Sequence, residues 1–386
     1  MATKRVCVVT GTRAEYGLLK PVVEKIQKSD QMALQILVTG MHLLPDFGLT
    51  IKEIENDGYN IDAKVPIVVG GDNKLSMSVS IGLGVIAISQ SLEILKPDVV
   101  VVLGDRFEIF AAAIAASYSG MVLAHLCGGD SPQGGYDEYT RHAITKIAHI
   151  HFPMTEKNAE RILRMGENPA NVHVVGYTSL DTILHTPLPA KDVLFHKYNL
   201  STNKDLLVLV YHSLSTSPGM SAQEIAIILE VIITFDLQCL VVYPNVDPGG
   251  KSIVSEIRKY EKSHPDKIKG RKSLPYEDFL GFLNCAKVLV GNSSSGILES
   301  PSFHLPVVNI GTRQRGRERA GNVIDINLDK SEIETAVNKA LFDQDFLDTI
   351  QTHENPYGDG QASDRIVKIL EELQIRPELL SKRFHD

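Results

Sequence analysis

The stretch from Pro97 to Lys146 reads PDVVVVLGDRFEIFAAAIAASYSGMVLAHLCGGDSPQGGYDEYTRHAITK. A short apolar run, Val99 to Leu103, stops at Gly104, Asp105 and Arg106. An alanine-rich segment follows, then a second apolar run, Met121 to Leu126, which stops at Cys127, Gly128, Gly129 and Asp130. The pattern is strand, helix, strand, with each strand emptying into a turn that carries an acid. Ligands of open α/β sheets sit outside the carboxyl ends of the strands, so Asp105 and Asp130 stand where a ligand is expected. Asp137 and Glu138 come soon after, then Arg141 and His142, at the start of another apolar segment. Carboxylates crowded together drive their pKa values apart, which gives one site both an acid and a base. A solvated loop leading into a helix with acids at its N-terminus would carry the same letters. Two acids at the ends of adjacent strands favour chemistry over that reading.

On either side of this stretch the alternation continues. Val6 to Thr10, Leu34 to Thr39, Val65 to Val69 and Val172 to Val175 read as further strands, with helices at Glu15 to Lys28, Ser76 to Leu95 and Tyr139 to Ile147. Unbroken Val/Ile/Leu runs mark strands buried on both faces, hence a parallel sheet. The signal lapses from Leu184 to Lys204, which holds two prolines and no long period, and this marks a domain boundary. It then resumes with strands at Leu206 to Tyr211, Cys239 to Tyr243, Ile268 to Leu274, Val288 to Val290, Pro306 to Ile310 and Val323 to Ile326. Helices at Ala222 to Phe235 and Tyr276 to Asn284 intervene. The expected architecture is α/β, two doubly wound Rossmann-like domains facing a cleft. Residues 1–183 form the first and carry the acids, and residues 184–361 form the second. Residues 362–386 hold an amphipathic helix, Ala362 to Leu373, that reaches back to the first domain.

A chain of 386 residues exceeds one ordinary core, which agrees with two domains. With 43% hydrophobic and 22% charged residues, the composition is that of a globular protein. A net charge of −8 argues against general nucleic-acid binding, though not against an anionic ligand in a local basic pocket. Cys7, Cys127, Cys239 and Cys285 are far apart and form no CxxC pair, which points to reduced thiols in a cytoplasmic protein and away from zinc. Neither a leader nor a membrane span is expected.

Three further loops bear on a ligand. Gly11-Thr12-Arg13-Ala14-Glu15-Tyr16-Gly17 follows a strand and opens a helix, a setting in which backbone N–H groups and the helix dipole suit an anion. Its glycines are too far apart for GxGxxG, and the Walker lysine is missing. Arg13 offers a planar fork for phosphate, while a capping Thr with a surface Arg fits the loop equally well. In the second half, Val288 to Val290 empties into Gly291-Asn292-Ser293-Ser294-Ser295-Gly296-Ile297-Leu298-Glu299. Small hydroxyl residues there let the backbone approach a diphosphate, and Glu299, one turn into the expected helix, suits a ribose. An N-capped helix with a helical acid is the plainer alternative. Arg313, Arg315, Arg317 and Arg319 crowd the last loop beside another strand end. His212, ending its strand, suits a donor to a departing phosphate, or a structural role. His149 and His151 alternate along a strand and read as structural.

Taken together, GTRAEYG, VTGMH, GDRFE, the GGD of Gly128 to Asp130, YDEYTRHAITK, YPNVD, GNSSSG with Glu299 and GTRQRGRE resemble the hydrolysing, sialic-acid-pathway branch of the UDP-N-acetylglucosamine 2-epimerases. The resemblance runs from about Val6 to Leu373 in unbroken order. It implies the glycosyltransferase-B type of fold, a homo-oligomer (dimer or tetramer), and conversion of UDP-N-acetylglucosamine to N-acetylmannosamine and UDP without metal or cofactor. By motif, Asp105, Asp130 and Asp137 would be the catalytic acids, flanked by Glu108, Arg141 and His142. Arg13 would contact the phosphates and His212 assist the leaving diphosphate. Asn292, Ser293, Ser294, Ser295 and Glu299 would hold diphosphate and ribose, with Arg313 and Arg317 lining that site.

Two departures bear on mechanism. Many relatives have Glu or His where this chain has Cys127, and a thiol replaces a carboxylate base poorly. The base is therefore sought at Asp130 or Asp137. Non-hydrolysing relatives have lysine where Leu18 stands, which supports the hydrolysing branch. Related enzymes act on 2,4-diacetamido-2,4,6-trideoxy sugars linked to UDP or GDP, and the sequence fits them as well. A glycosyltransferase of the same fold would not need so many acids in its first domain, and a silent nucleotide-sugar sensor would tolerate their loss.

Overall fold

The computed structural model describes residues 3–70, 74–132, 136–213, 218–244 and 249–385. Its strands form two parallel six-stranded sheets. The first contains β1 (Lys4–Thr10), β2 (Met32–Thr39), β3 (Ala63–Val65), β4 (Val99–Leu103), β5 (Val122–Leu126) and β6 (Ile150–Phe152), in the order β3-β2-β1-β4-β5-β6. The second contains β7 (Leu206–Val210), β8 (Gln238–Val242), β9 (Ile268–Arg271), β10 (Val288–Gly291), β11 (Val307–Ile310) and β12 (Val323–Ile326), in the order β12-β11-β10-β7-β8-β9. Counted within its own sheet, each has the doubly wound order 3-2-1-4-5-6, which reverses direction between its first and fourth strands. Those switch points lie between β1 and β4 and between β7 and β10.

Every residue of β4, β5, β7 and β8 is buried, as strands covered by helices on both faces must be. In the first sheet Cys7, Val9, Val100 and Val102 pack against Ala111, Ala112 and Ala115 of helix Phe107–Tyr118. The alanines let that helix lie close to the strands.

The chain divides into two compact units. One comprises the chain up to Ser131, Tyr136–His185 and the segment from Tyr357 onward, and the other is chiefly Thr186–Pro356. The final helix, Ala362–Glu372, belongs to the first unit and packs on helix Arg13–Lys28. The Asp181 carboxylate caps it, accepting from Ala362 N at 2.9 Å and Ser363 N at 2.7 Å. Lys4 Nζ donates to the Leu373 carbonyl at 2.8 Å.

Several expected elements differ. The strand expected over Val65–Val69 lies earlier, pairing Ala63, Lys64 and Val65 with Leu37, Val38 and Thr39, because Pro66 has no N–H to continue the ladder. The strand expected over Val172–Val175 is a single bridge between Val172 and His151. That segment is extended, with His173 N and Val175 N donating to the His151 and Pro153 carbonyls, but it forms no continuous ladder. The strand expected over Ile268–Leu274 stops at Arg271. Part of the YPNVD motif, from residue 245 onward, lies outside the described residues.

No membrane span is expected from the sequence, and helix Lys74–Leu95 bears on that reading. Its stretch Leu75–Leu95 is long and apolar enough, by length and composition, to cross a membrane. Its serines bond to their own backbone, Ser80 Oγ to Ser76 O at 2.7 Å and Ser89 Oγ to Val85 O at 2.7 Å, a habit of hydroxyls within helices. Leu75, Val79, Leu83, Ile86 and Ile94 form an exposed stripe along it.

Candidate functional site

Leu103 and Leu126 stand opposite each other in the ladder, so β4 and β5 end level. The turns carrying Asp105 and Asp130 therefore leave the same sheet edge side by side. Helix Tyr136–Ile147 brings Arg141 between them. Arg141 Nη1 donates to Asp130 Oδ2 at 3.0 Å and to the Cys127 carbonyl at 3.2 Å, and Nη2 donates to Asp105 Oδ2. Arg141 and Asp130 are buried. Burial alone would lower the Arg141 pKa, but Asp105 and Asp130 carry it above its ordinary value. One guanidinium thus faces two carboxylates, which leaves a formal negative charge on the trio.

The rest of the helix adds its own groups. Asp137 sits half-buried in the first turn, one helical turn before Arg141. Glu138 Oε1 accepts from Ser131 Oγ at 2.7 Å and lies 3.1 Å from His142 Nε2. Ser131 N donates to Asp130 Oδ1 at 3.0 Å. Glu138 and Ser131 were not singled out as site residues from the sequence. The i, i+4 spacing of Glu138 and His142 was the available signal.

Buried histidines brace these turns. His125 lies 2.8 Å from the Gly104 carbonyl and 3.2 Å from Thr145 Oγ1, tying the β4 turn to the helix. Burial pushes its pKa down to about 3. His149 Nδ1 accepts from Leu123 N at 3.0 Å, and His151 pairs with Glu167 at 3.0 Å. Cys127 is buried and adopts the left-handed conformation, with φ of 61°.

At the β1 turn the backbone forms the cap that the sequence offered beside an anion site. Gly11 N and Thr12 N donate to Glu15 Oε2 at 2.8 and 3.2 Å, and Glu15 N donates to Thr12 Oγ1 at 3.2 Å. This capping box occupies N–H groups that an anion would need. Arg13 remains as the first helical residue, half-buried. Burial, then the neighbouring Glu108, pushes the Glu15 carboxyl up to about 8. Glu108, expected among the ligand contacts, is completely buried and paired with Arg106 at 3.2 Å. It supports the turns from beneath: a Cβ on Gly40, whose φ is +60°, would fall 2.7 Å from Glu108 Cγ.

In the second unit Gly291 pairs with Val210, so β7 and β10 also end level. Gly291 has φ of +134°, and a Cβ there would fall 2.0 Å from the Val210 carbonyl. Asn292 Oδ1 accepts from His212 N at 2.8 Å, and its Nδ2 donates to the His212 carbonyl at 2.9 Å. Arg313 Nη1 and Gln314 Nε2 donate to the Asn292 carbonyl at 3.0 and 2.8 Å. Arg317 bonds Gln314 Oε1, and Arg319 pairs with Asp325 at 3.2 Å. Three of the four clustered arginines therefore make intramolecular bonds, and Arg315 is exposed. The helix after the serines is short, Ser295–Leu298, because Pro301 soon follows and a 3₁₀ turn takes over. Glu299 consequently sits at its end and not a turn into it, buried and accepting from Tyr276 Oη at 3.3 Å. Ser293 Oγ accepts from Ser295 N at 3.3 Å.

Among the described residues no three His, Cys, Asp or Glu side chains gather as a metal site requires. The structure thus brings Asp105, Asp130, Arg141, Asp137 and His142 to one sheet edge of the first unit. It brings His212, Asn292, Ser293 and Arg313 to one edge of the second.

Comparison with known proteins adds four findings. The family model described as UDP-N-acetylglucosamine 2-epimerase matches residues 24–371. The chain is 36% identical over 379 residues to the hydrolysing UDP-N,N'-diacetylbacillosamine 2-epimerase of Legionella pneumophila, covering 98% of each chain. It is 31% identical over 337 residues to the UDP-N-acetylglucosamine 2-epimerase of Neisseria meningitidis serogroup B, covering 87% of each. A solved structure of UDP-GlcNAc 2-epimerase from Neisseria meningitidis bound to UDP-GlcNAc superposes with a TM-score of 0.80 at 20% identity, covering 96% of this chain and all of that one.

Proposed function

The chain belongs to the UDP-N-acetylglucosamine 2-epimerase family, and from that premise we propose that it is a hydrolysing member. It takes a UDP-linked 2-acetamido sugar, inverts C2, and releases the free sugar and UDP. The sequence alone put UDP-N-acetylglucosamine first among substrates. Greater identity to the Legionella enzyme than to the Neisseria one, 36% against 31%, supports the opposite order. The UDP-linked 2,4-diacetamido-2,4,6-trideoxy sugar is the favoured substrate. UDP-N-acetylglucosamine, supported by the Neisseria relative, is the second reading.

The observation that carries this reading is Arg141 held between Asp105 and Asp130, with Asp137 one turn away on the same helix. The C2 hydrogen of such a sugar is not acidic, since no carbonyl adjoins it. Breaking the C1–O bond first gives C1 cationic character, which the residual negative charge of the Asp105–Asp130–Arg141 trio stabilises. A carboxylate then takes the C2 proton, the role of Asp137. In the second unit His212 and the serine turn at Ser293, Ser294 and Ser295 donate to the departing diphosphate, with Asn292 holding the turn, Glu299 serving the ribose, and Arg313 and Arg317 fixing the loop. In the first unit Arg13 offers a positive charge for phosphate. The unsaturated sugar takes a proton at C2 from the other face and water at C1. No redox or metal step enters this route.

The protein also works as a homo-oligomer, with the exposed stripe of helix Lys74–Leu95 as the contact between copies. An apolar groove of about 500 Å³, lined by Val85, Phe110, Ile114, Tyr118 and Ile147 among others, lies beside it.

Incubation with each sugar nucleotide in D₂O tests the reaction. The expected result is UDP plus a free sugar carrying deuterium at an inverted C2. Product with its original C2 hydrogen would sink the elimination route, and UDP release only with an added acceptor would make the protein a transferase.

A further inference from the structure

The chemistry above needs two proton acceptors: one for the C2 hydrogen during elimination and one for the proton that water gives up during hydration. Asp105 and Asp130 are both engaged by Arg141, and the second oxygen of Asp130 accepts from Ser131 N. Asp137 can serve one transfer. The other points to a pair outside the acids so far discussed.

Glu138 Oε1 is fixed by Ser131 Oγ at 2.7 Å and lies 3.1 Å from His142 Nε2. A carboxylate only accepts, so Nε2 carries the hydrogen and Nδ1 presents a lone pair. That Nδ1 is buried, and among the described residues nothing hydrogen-bonds it. A buried basic lone pair with no protein partner is unusual and asks for an explanation. A carboxylate that orients an imidazole whose far nitrogen is vacant is the arrangement of a general base with its positioning acid.

Resting on the hydrolysing-epimerase reading, we propose that His142 is the proton-transfer group of the hydration half-reaction and that Glu138 positions it. In elimination, Asp137 takes the C2 proton, the C–H electron pair becomes the C1=C2 bond, and the C1–O pair leaves with the diphosphate. In hydration, a proton drawn from solvent adds at C2, the C1=C2 electron pair forming the new C–H bond, and the water oxygen bonds the C1 cation that results. His142 Nδ1 takes the proton that this water sheds and returns it to solvent.

Single-turnover kinetics with UDP and sugar products measured separately decide the matter. His142→Ala is expected to release UDP at close to the wild-type rate while an unsaturated sugar accumulates, with hydration slowed by roughly 100- to 10,000-fold. Added imidazole should restore hydration in proportion to its concentration, which a merely structural defect would not permit. Glu138→Gln keeps an acceptor for Ser131 and His142 but loses the charge that stabilises the imidazolium. It should slow hydration by about tenfold or more with KM within about threefold. Hydrated product from His142→Ala at within about threefold of the wild-type rate, equal loss of UDP release and hydration, or no response to imidazole would overturn the assignment. So would an unchanged Glu138→Gln variant. If the wild-type protein itself releases no UDP from either sugar nucleotide, the functional reading falls and takes this assignment with it.

Discussion

Asn292 holds His212 by both backbone groups at once, accepting its N–H at 2.8 Å and donating to its carbonyl at 2.9 Å. The side-chain amide thereby imitates one more rung of ladder between β7 and β10, beyond the point where the strands part. Asn292→Ala would leave both backbone groups of His212 poorly satisfied, while the backbone carbonyl that accepts from Arg313 and Gln314 would remain. Each orphaned group costs about 1–3 kcal/mol. A lower melting temperature with a raised KM is expected, and an unchanged KM would detach this rung from nucleotide binding.

Glu299→Ala should raise KM more than it lowers kcat, because a ribose contact is remote from the reacting carbons. A defect confined to kcat would remove Glu299 from that role.

Asp105→Asn, Asp130→Asn and Asp137→Asn should each lower turnover by roughly 100- to 10,000-fold while the protein still folds. Arg141→Met differs, because it strands two carboxylates around one buried hole. Breaking a buried pair costs about 3–5 kcal/mol, so thermal melting should separate this variant from the three asparagine ones. Retained activity in Asp137→Asn would remove that residue from the mechanism.

Stability should bend at both ends of the pH scale. Burial holds the Glu15 carboxyl at about 8, above its ordinary 4.5. Its favourable protonated state is present in full below pH 4.5 and is lost as the pH rises through about 8. Burial holds His42 and His125 at about 3, below their ordinary 6.5. Their contribution is present above 6.5 and is lost as the pH falls through about 3. Glu15→Gln keeps an acceptor for Gly11 and Thr12 and should flatten the decline between pH 4.5 and 8 in melts across that range. A parallel pH curve for the variant and the wild-type protein would contradict the assignment.

Strand positions were legible because buried parallel strands are written as unbroken Val/Ile/Leu runs. The same rule misplaced β3 and the segment after His151. Ile67 and Val175 are buried like strand residues, but a ladder also needs donors and a neighbour in register, and hydrophobicity reports neither. At the site, acids at strand ends were legible from position alone. The capping Thr12 was legible as one of two readings, but the letters suit an anion equally, and only the fold brings Glu15 back to the N–H groups of Gly11 and Thr12. Glu138 was passed over as a site residue because its importance lies in contacts with Ser131 and His142, which the letters do not weigh.

The stripe of Leu75, Val79, Leu83, Ile86 and Ile94 supplies a test of assembly. Leu83→Glu with Ile86→Glu should lower the mass measured by light scattering to that of one chain without unfolding it, since both side chains already face outward. An oligomer that survives both changes would place the contact elsewhere.

The first unit is made of separated segments, and its last piece, from Tyr357 onward, is docked by Asp181, Lys4 and Glu167. Ribosomes make that piece only after the second unit. The acid-bearing unit therefore stays open until residues beyond Tyr357 have emerged, whereas the second unit can close before them. Order of synthesis and order of completion are therefore opposite. A chain stalled before Ala362 would leave the side of helix Arg13–Lys28 that packs on helix Ala362–Glu372 uncovered.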